Sequence, residues 1–236
     1  MASSPQNLQE LLEISTPQGV NLAWVLPGDA WLASPAPPGG RLLLLASAGP
    51  GVWAGQQAHM QAEPNPLDHL TLRLLQGFNL PEQQIFYPKP VSGSQEKGLL
   101  PPPLQQLARL TGEVAPSPLG PDLHLEYGSW FGLRGLLWAK LDWPVTQAQP
   151  AWEGACASCA TPCAPACPAQ AVKPGQPLDW QACSLWRQQG GCPHACPARK
   201  ACHKGRPYHR EQEAFHAKAS LSWLQSHPLP KLPGKV

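Results

Sequence analysis

Charge is scarce in this chain. Of its 236 residues only 14% are Asp, Glu, Lys or Arg, and the formal net charge is +2. The basic residues are scattered, with no run longer than Arg199-Lys200. Nucleic acid needs a clustered cationic surface, so it is not expected as a partner. Long hydrophobic runs are missing as well. The longest strictly apolar run, Leu42 to Ala46, is far too short to span a bilayer, and no membrane association is expected. The first residues, Met-Ala-Ser-Ser-Pro-Gln-Asn, lack a basic segment followed by an apolar one, so no secretory leader is expected. These absences together predict a soluble protein of a reducing, cytoplasmic compartment.

Proline, tryptophan and cysteine are plentiful. The 31 prolines predict short helices and long loops. Ten Trp stand against four Phe and three Tyr. Trp packs cores, and it also stacks on flat conjugated ligands. All eight cysteines lie between Cys156 and Cys202. Cys156, Cys159, Cys163 and Cys167 are packed close together, with Pro168 following. Cys183, Cys192, Cys196 and Cys202 are spread more loosely.

Three chemistries compete for these thiols. A zinc ribbon takes two well-separated Cys-x2-4-Cys pairs, whereas the first four cysteines here are too dense for that. A disulfide framework needs an oxidising compartment. Two four-iron clusters need eight thiolates, one on each iron. The Ala, Ser and Pro residues between the first cysteines also suit a cluster. They let the backbone wrap it and point amides at sulfur. Iron–sulfur is the favoured reading, with structural zinc and disulfides as the alternatives.

Upstream of the cysteines the pattern is mixed. Helices are predicted at 5–14, capped by Ser4, and from Asn65-Pro66 to Gly77. A further short one is predicted at 104–110, closed by Gly112. Strands are predicted at 20–26, at 42–46 as a buried central strand, at 85–87 and at 136–139. Ser47 to Gly51 reads as a turn, 34–40 and 88–103 as loops, and 144–154 as a polar linker. The longest helix is expected over 208–225, with His209 and His216 on one side as surface or packing residues. The fold class is therefore α+β. The expected division is an α+β ligand-binding domain over 1–150, a two-cluster module over 151–205, and a helix with a tail over 206–236.

Between these parts lies Ser117-Pro-Leu-Gly…His124-x-x-Tyr127-Gly-Ser-Trp130-Phe-Gly-Leu-Arg134-Gly135. By periodicity it is an ordinary core strand with structural polar groups. It also resembles a stretch in bacterial ferredoxin-domain proteins, as does Cys192…Cys196-x-Ala-Arg-Lys-Ala-Cys202…Tyr208…Gln212…Phe215-His216. The resemblance covers roughly residues 64 to 225. Residues Tyr127 to Gly135 are similar to a segment of the cytosolic cobalamin-processing family. Epoxyqueuosine reductases share the domain order, a cobalamin-binding α+β domain before a two-cluster ferredoxin-like module. No counterpart of their catalytic acid is found here, so no catalytic residue is assigned.

The resemblance implies a cobalamin or related corrinoid bound by His124, Tyr127, Trp130 and Arg134. Arg134 would meet an anionic group, and the aromatics would cover the macrocycle. It also implies crossed ligation, because in two-cluster ferredoxins the fourth cysteine of each run serves the other cluster. Cys156, Cys159, Cys163 and Cys202 would hold one 4Fe–4S cluster. Cys183, Cys192, Cys196 and Cys167 would hold the other. Electrons would come from a ferredoxin, flavodoxin or reductase and pass to the corrinoid or a related small molecule. A plain ferredoxin-type carrier and a zinc-holding interaction protein remain the alternatives.

Overall fold

The structure is a computed structural model that describes residues 4–31, 39–57, 66–86, 103–150, 156–205 and 210–226. It is α+β and forms two compact units. The first comprises Met1–Val114 and Phe131–Trp152, the second Ala115–Trp130 and Glu153–Val236. Residues 115–130 thus group with the cysteines, whereas the sequence reading placed them in the N-terminal domain.

In the first unit, α1 (Leu8–Ser15) starts later than its sequence pattern predicts. Asn7, not Ser4, caps it: the Asn7 side chain accepts the Glu10 N–H at 3.0 Å. The Glu10 carboxylate in turn accepts the Gln6 N–H at 2.8 Å, a reciprocal pairing that satisfies two amides. Ser4 instead donates its hydroxyl to the Asn79 carbonyl at 2.8 Å.

Strands β1 (Leu22–Pro27), β2 (Arg41–Ala48), β3 (Gln84–Phe86) and β6 (Phe131–Ala139) form an antiparallel sheet in the order β1-β2-β6-β3. Two corrections to the sequence reading arise here. First, β2 runs through Ser47 and Ala48, which the pattern assigns to a turn. The Asn21 side chain continues the ladder past the end of β1, accepting the Ala48 N–H at 2.8 Å and donating to its carbonyl at 3.1 Å. A 3-10 turn at Pro50–Val52 leads into α2 (Trp53–Gln57). Second, β6 begins at Phe131, five residues before the predicted start at Leu136. Leu45 pairs with Gly135 but Ala46 pairs with Leu133, so Arg134 is the extra residue of a β-bulge.

Alternation along the central strands sends apolar side chains to both faces. On one face Leu43, Leu45 and Leu137 pack with Leu11 of α1 and with Leu74, Leu75 and Phe78 of α3 (Pro66–Gly77). On the other, Leu42, Leu44, Leu136 and Trp138 are equally buried. Helix α4 (Leu104–Arg109) packs on β2 and β6 and buries Leu107 and Ala108. Leu44→Ala removes a side chain with no exposed surface from the β2–β6 pair and is expected to cost about 2–5 kcal/mol. Urea unfolding followed by far-ultraviolet circular dichroism measures it.

Residues 144–149 are not a free linker. Thr146 and Val25 exchange hydrogen bonds, the Thr146 N–H reaching the Val25 carbonyl at 2.8 Å and its hydroxyl accepting the Val25 N–H at 2.9 Å. The Gln149 N–H reaches the Thr111 carbonyl at 2.9 Å. Most of these side chains are exposed, as a linker's would be, but the backbone is bound. Residues 151–155, Asn65, Tyr87, most of 34–40 and 88–103, Tyr208, His209 and the tail lie outside the described residues.

The second unit opens at Ala115, the last residue of β4 (Val114–Ala115), which pairs with β5 (Leu123–His124). Its helices are α5 (Trp180–Gln188), α6 (Pro197–Ala201) and α7 (Arg210–Ser226). Asp179 caps α5 by accepting the Ala182 N–H at 2.9 Å. Arg187 of α5 donates to the Ala217 carbonyl of α7 at 2.6 Å, and Lys200 of α6 pairs with Glu213 of α7 at 3.1 Å. Among the described residues no helix is long and apolar enough to cross a membrane.

Candidate metal centre

The first cysteine run folds as a series of tight turns. N–H groups of Cys159, Ala164, Cys167 and Gln170 reach carbonyls three residues back, at 3.0 to 3.4 Å. Small side chains and prolines permit such tight winding. Thr161, Gln170 and Cys192 hold left-handed backbone with φ of 52°, 51° and 50°, uncommon outside glycine. At Thr161 this conformation serves a purpose: its N–H lies 3.3 Å from the Cys159 sulfur.

None of the eight cysteines is disulfide-bonded. They fall into two groups. Cys156, Cys159, Cys163 and Cys202 line one pocket, together with Pro118, Leu119, Leu123 and Pro162. Burial pushes the Cys156 thiol up, and Cys202, Cys159 and Cys163 push it further. Burial raises Cys163 too, then Cys202, while the amides of Cys163 and Ala164 oppose. The second group is Cys167, Cys183, Cys192 and Cys196. Burial raises Cys183, followed by Cys196 and Cys167, against the Arg187 guanidinium. Burial raises Cys192, followed by Cys196, against a hydrogen bond from Trp186 and the charge of Arg187. In each group, burial and neighbouring sulfurs raise two of the four thiols.

A single zinc ion needs four donors at about 2.3 Å in a tetrahedron. Among the described residues no three His, Cys, Asp or Glu side chains converge to hold one metal ion. A four-iron cluster distributes its thiolates, one per iron, over a wider frame. The first group's four thiols line one pocket, and the Thr161 amide lies on the Cys159 sulfur.

The residues assigned to a corrinoid do not gather in one place within either unit. His124, Tyr127 and Trp130 belong to the second unit, Arg134 to the first. His124 is buried, and its Nδ1 accepts the N–H of Glu126 at 3.1 Å and of Tyr127 at 3.3 Å. An imidazole accepting there carries its proton on Nε2. His124 thus braces a tight turn in which it exchanges backbone bonds with Gly128, both at 2.8 Å. Trp130 is 1% exposed, and the Arg199 guanidinium lies 4.4 Å from its ring centre. Arg199 also donates to the Ser129 hydroxyl and carbonyl. Arg134 donates its Nε–H to Ser47 at 2.9 Å, and Ser47 donates to the Gly19 carbonyl at 2.6 Å.

Gly128 leaves room for protein, not ligand. With φ of 57°, its missing Cβ gives space to the Lys204 carbonyl, and Gly205 in turn meets the Tyr127 carbonyl. Residues 115–130 therefore brace the cysteine loops: Leu119 and Leu123 line the first pocket, and Ser129 and Trp130 hold α6 between Cys196 and Cys202. Sequence reasoning quoted Arg199 only as part of a motif and missed this role. The aromatic–arginine pairing across the chain left no local signal.

No protein-family model matches the chain, and no curated protein matches it. Among solved structures it is similar to the crystal structure of a C. elegans B12-trafficking protein, CblC, titled a human MMACHC homologue. The two share 13% identity over 96% of this chain and 98% of that one, with a TM-score of 0.40. A TM-score that low does not amount to a shared fold.

Proposed function

We propose that this chain is an iron–sulfur electron-transfer protein with two four-iron clusters, one in each cysteine group. The observation that carries this is the gathering of eight free thiols into two groups of four. When bound, such clusters supply one-electron oxidation and reduction. The protein's own residues bind, shield and tune. The eight thiolates anchor iron. The Thr161 amide on Cys159, and those of Cys163 and Ala164 on Cys163, spread negative charge away from sulfur. Pro118, Leu119, Leu123 and Pro162 keep water from the first group. Arg187 offsets charge at the second.

The test is metal analysis of anaerobically purified protein. About eight iron and eight acid-labile sulfide per chain are expected, with a broad visible absorbance that dithionite bleaches. Stoichiometric zinc without iron sinks the reading and restores the structural zinc protein.

The acceptor is proposed to be a corrinoid or a related small molecule, on the resemblance of Tyr127 to Gly135. Titration with hydroxocobalamin, oxidised and reduced, tests this through its absorbance. No spectral change at high micromolar ligand with both clusters intact makes the chain a plain carrier between partner proteins.

A further inference from the structure

We propose that the surface around Cys196 is the docking face through which an acidic one-electron carrier protein loads the second cluster. This rests on the reading that Cys196 is a ligand of a four-iron cluster.

Charge is unevenly placed along the chain. From Trp180 to Arg210 the sequence holds six Lys or Arg and no Asp or Glu. Cys183, Cys192 and Cys196 lie in that stretch, so its loops offer no carboxylate of their own to repel an acidic partner.

Exposure singles out Cys196. Of the eight cysteines it is exposed and Cys163 is buried, the other six lying between. Its neighbours Pro193, His194 and Pro197 are exposed too. Lys200 stands one turn along α6, its N–H on the Cys196 carbonyl at 3.0 Å. The Lys200 side chain is 53% exposed, while that of its partner Glu213 is 9% exposed. The carboxylate therefore lies behind and the ammonium in front, so an approaching protein meets the cation. Trp186 adds an apolar contact beside the cysteine loop. It is 38% exposed, and its indole lies against Gly191, where a Cβ would collide with it.

The step itself is simple. With a flavin carrier, one electron leaves the hydroquinone anion, which becomes the neutral semiquinone, and enters the cluster. No bond is formed or broken. Electron transfer falls steeply with distance, so the carrier must seat its cofactor against the exposed ligand. Opposite charge speeds that encounter, and an exposed aromatic side chain suits the contact. A nucleic acid would use the same cations but has no electron to give, which leaves the exposure of Cys196 without a use.

The test is anaerobic stopped-flow reduction of the full protein by flavodoxin hydroquinone. The methyl viologen radical cation serves as a reductant that needs no basic face. Raising salt from about 20 to about 500 mM is expected to slow flavodoxin about tenfold and not to slow viologen. Lys200→Gln and His194→Glu are each expected to lower the flavodoxin-to-viologen rate ratio about threefold to tenfold. Lys140→Gln, which removes an exposed cation of the first unit, leaves the ratio unchanged. Calorimetric titration with oxidised flavodoxin, in which no electron moves, is expected to show binding weakened by the first two variants alone. His194→Glu decides the matter if Lys200→Gln strands Glu213 and loses its clusters. The proposal is overturned, and the cluster reading left standing, if flavodoxin transfers nothing while viologen reduces the clusters. A flavodoxin rate that ignores salt, or an equal loss in Lys140→Gln, does the same. Tight binding of a single-stranded DNA oligonucleotide beside such a rate assigns the cations to nucleic acid instead. Wild-type protein without iron overturns both.

Discussion

Cys163→Ser and Cys202→Ser are each expected to remove the same electron paramagnetic resonance signal and about half of the iron and sulfide. Cys167→Ser is expected to remove the other signal and spare the first. The reason is spatial. Cys202 is the last cysteine of the second run, six residues after Cys196, yet it lines the pocket of Cys156, Cys159 and Cys163. Cys167 follows Cys163 by four residues, yet it acts on Cys183 and Cys192. Serine keeps the size and loses the soft thiolate, so the fold is little disturbed. If Cys163→Ser and Cys167→Ser delete one common signal and leave the other, the grouping is wrong. Iron per chain, counted alongside, separates a lost cluster from a merely altered one.

The proposed crossing was not legible from spacing. An extra residue between Cys159 and Cys163 and the isolation of Cys183 break the ferredoxin pattern, so only the resemblance implied a pairing. The sheet was more legible. Leu42 to Ala46 reads as a central strand because both of its faces are apolar, and both are buried. Its last two residues did not read so, because Ser47 and Ala48 carry no β signal of their own. Their strand geometry comes from pairing with Gly132 and Phe131 of β6 and, at Ala48, from the Asn21 side chain, both far away in sequence. The start of β6 was hidden likewise: glycines at 132 and 135 and the bulge at Arg134 break the alternation that marks a strand. Helix α1 was visible, but its cap was not. Ser4 and Asn7 are both good caps, and the choice falls to Asn7 because Glu10 stands three residues on.

Trp130→Ala is expected to destabilise the apoprotein by about 3–5 kcal/mol, the range for emptying a buried aromatic site. A ligand-stacking Trp behaves otherwise: its loss weakens ligand binding and barely changes the stability of the free protein. The geometry favours the first outcome. Trp130 is 1% exposed, its backbone N–H is bonded to the Tyr127 carbonyl at 3.0 Å, and Arg199 lies over its ring. The charge over the ring adds about 0.5–2 kcal/mol to the lost burial. Arg199→Ala loses that term along with its bonds to Ser129, so the two substitutions share an interaction. The double variant is then expected to cost less than the sum of the singles, by about 0.5–3 kcal/mol. Guanidinium unfolding followed by far-ultraviolet circular dichroism measures all three. Because Arg199 lies on α6, between a cysteine of each group, both variants are also expected to lower the iron content of both clusters. Wild-type stability in Trp130→Ala, together with weakened hydroxocobalamin binding, would return Trp130 to a ligand site.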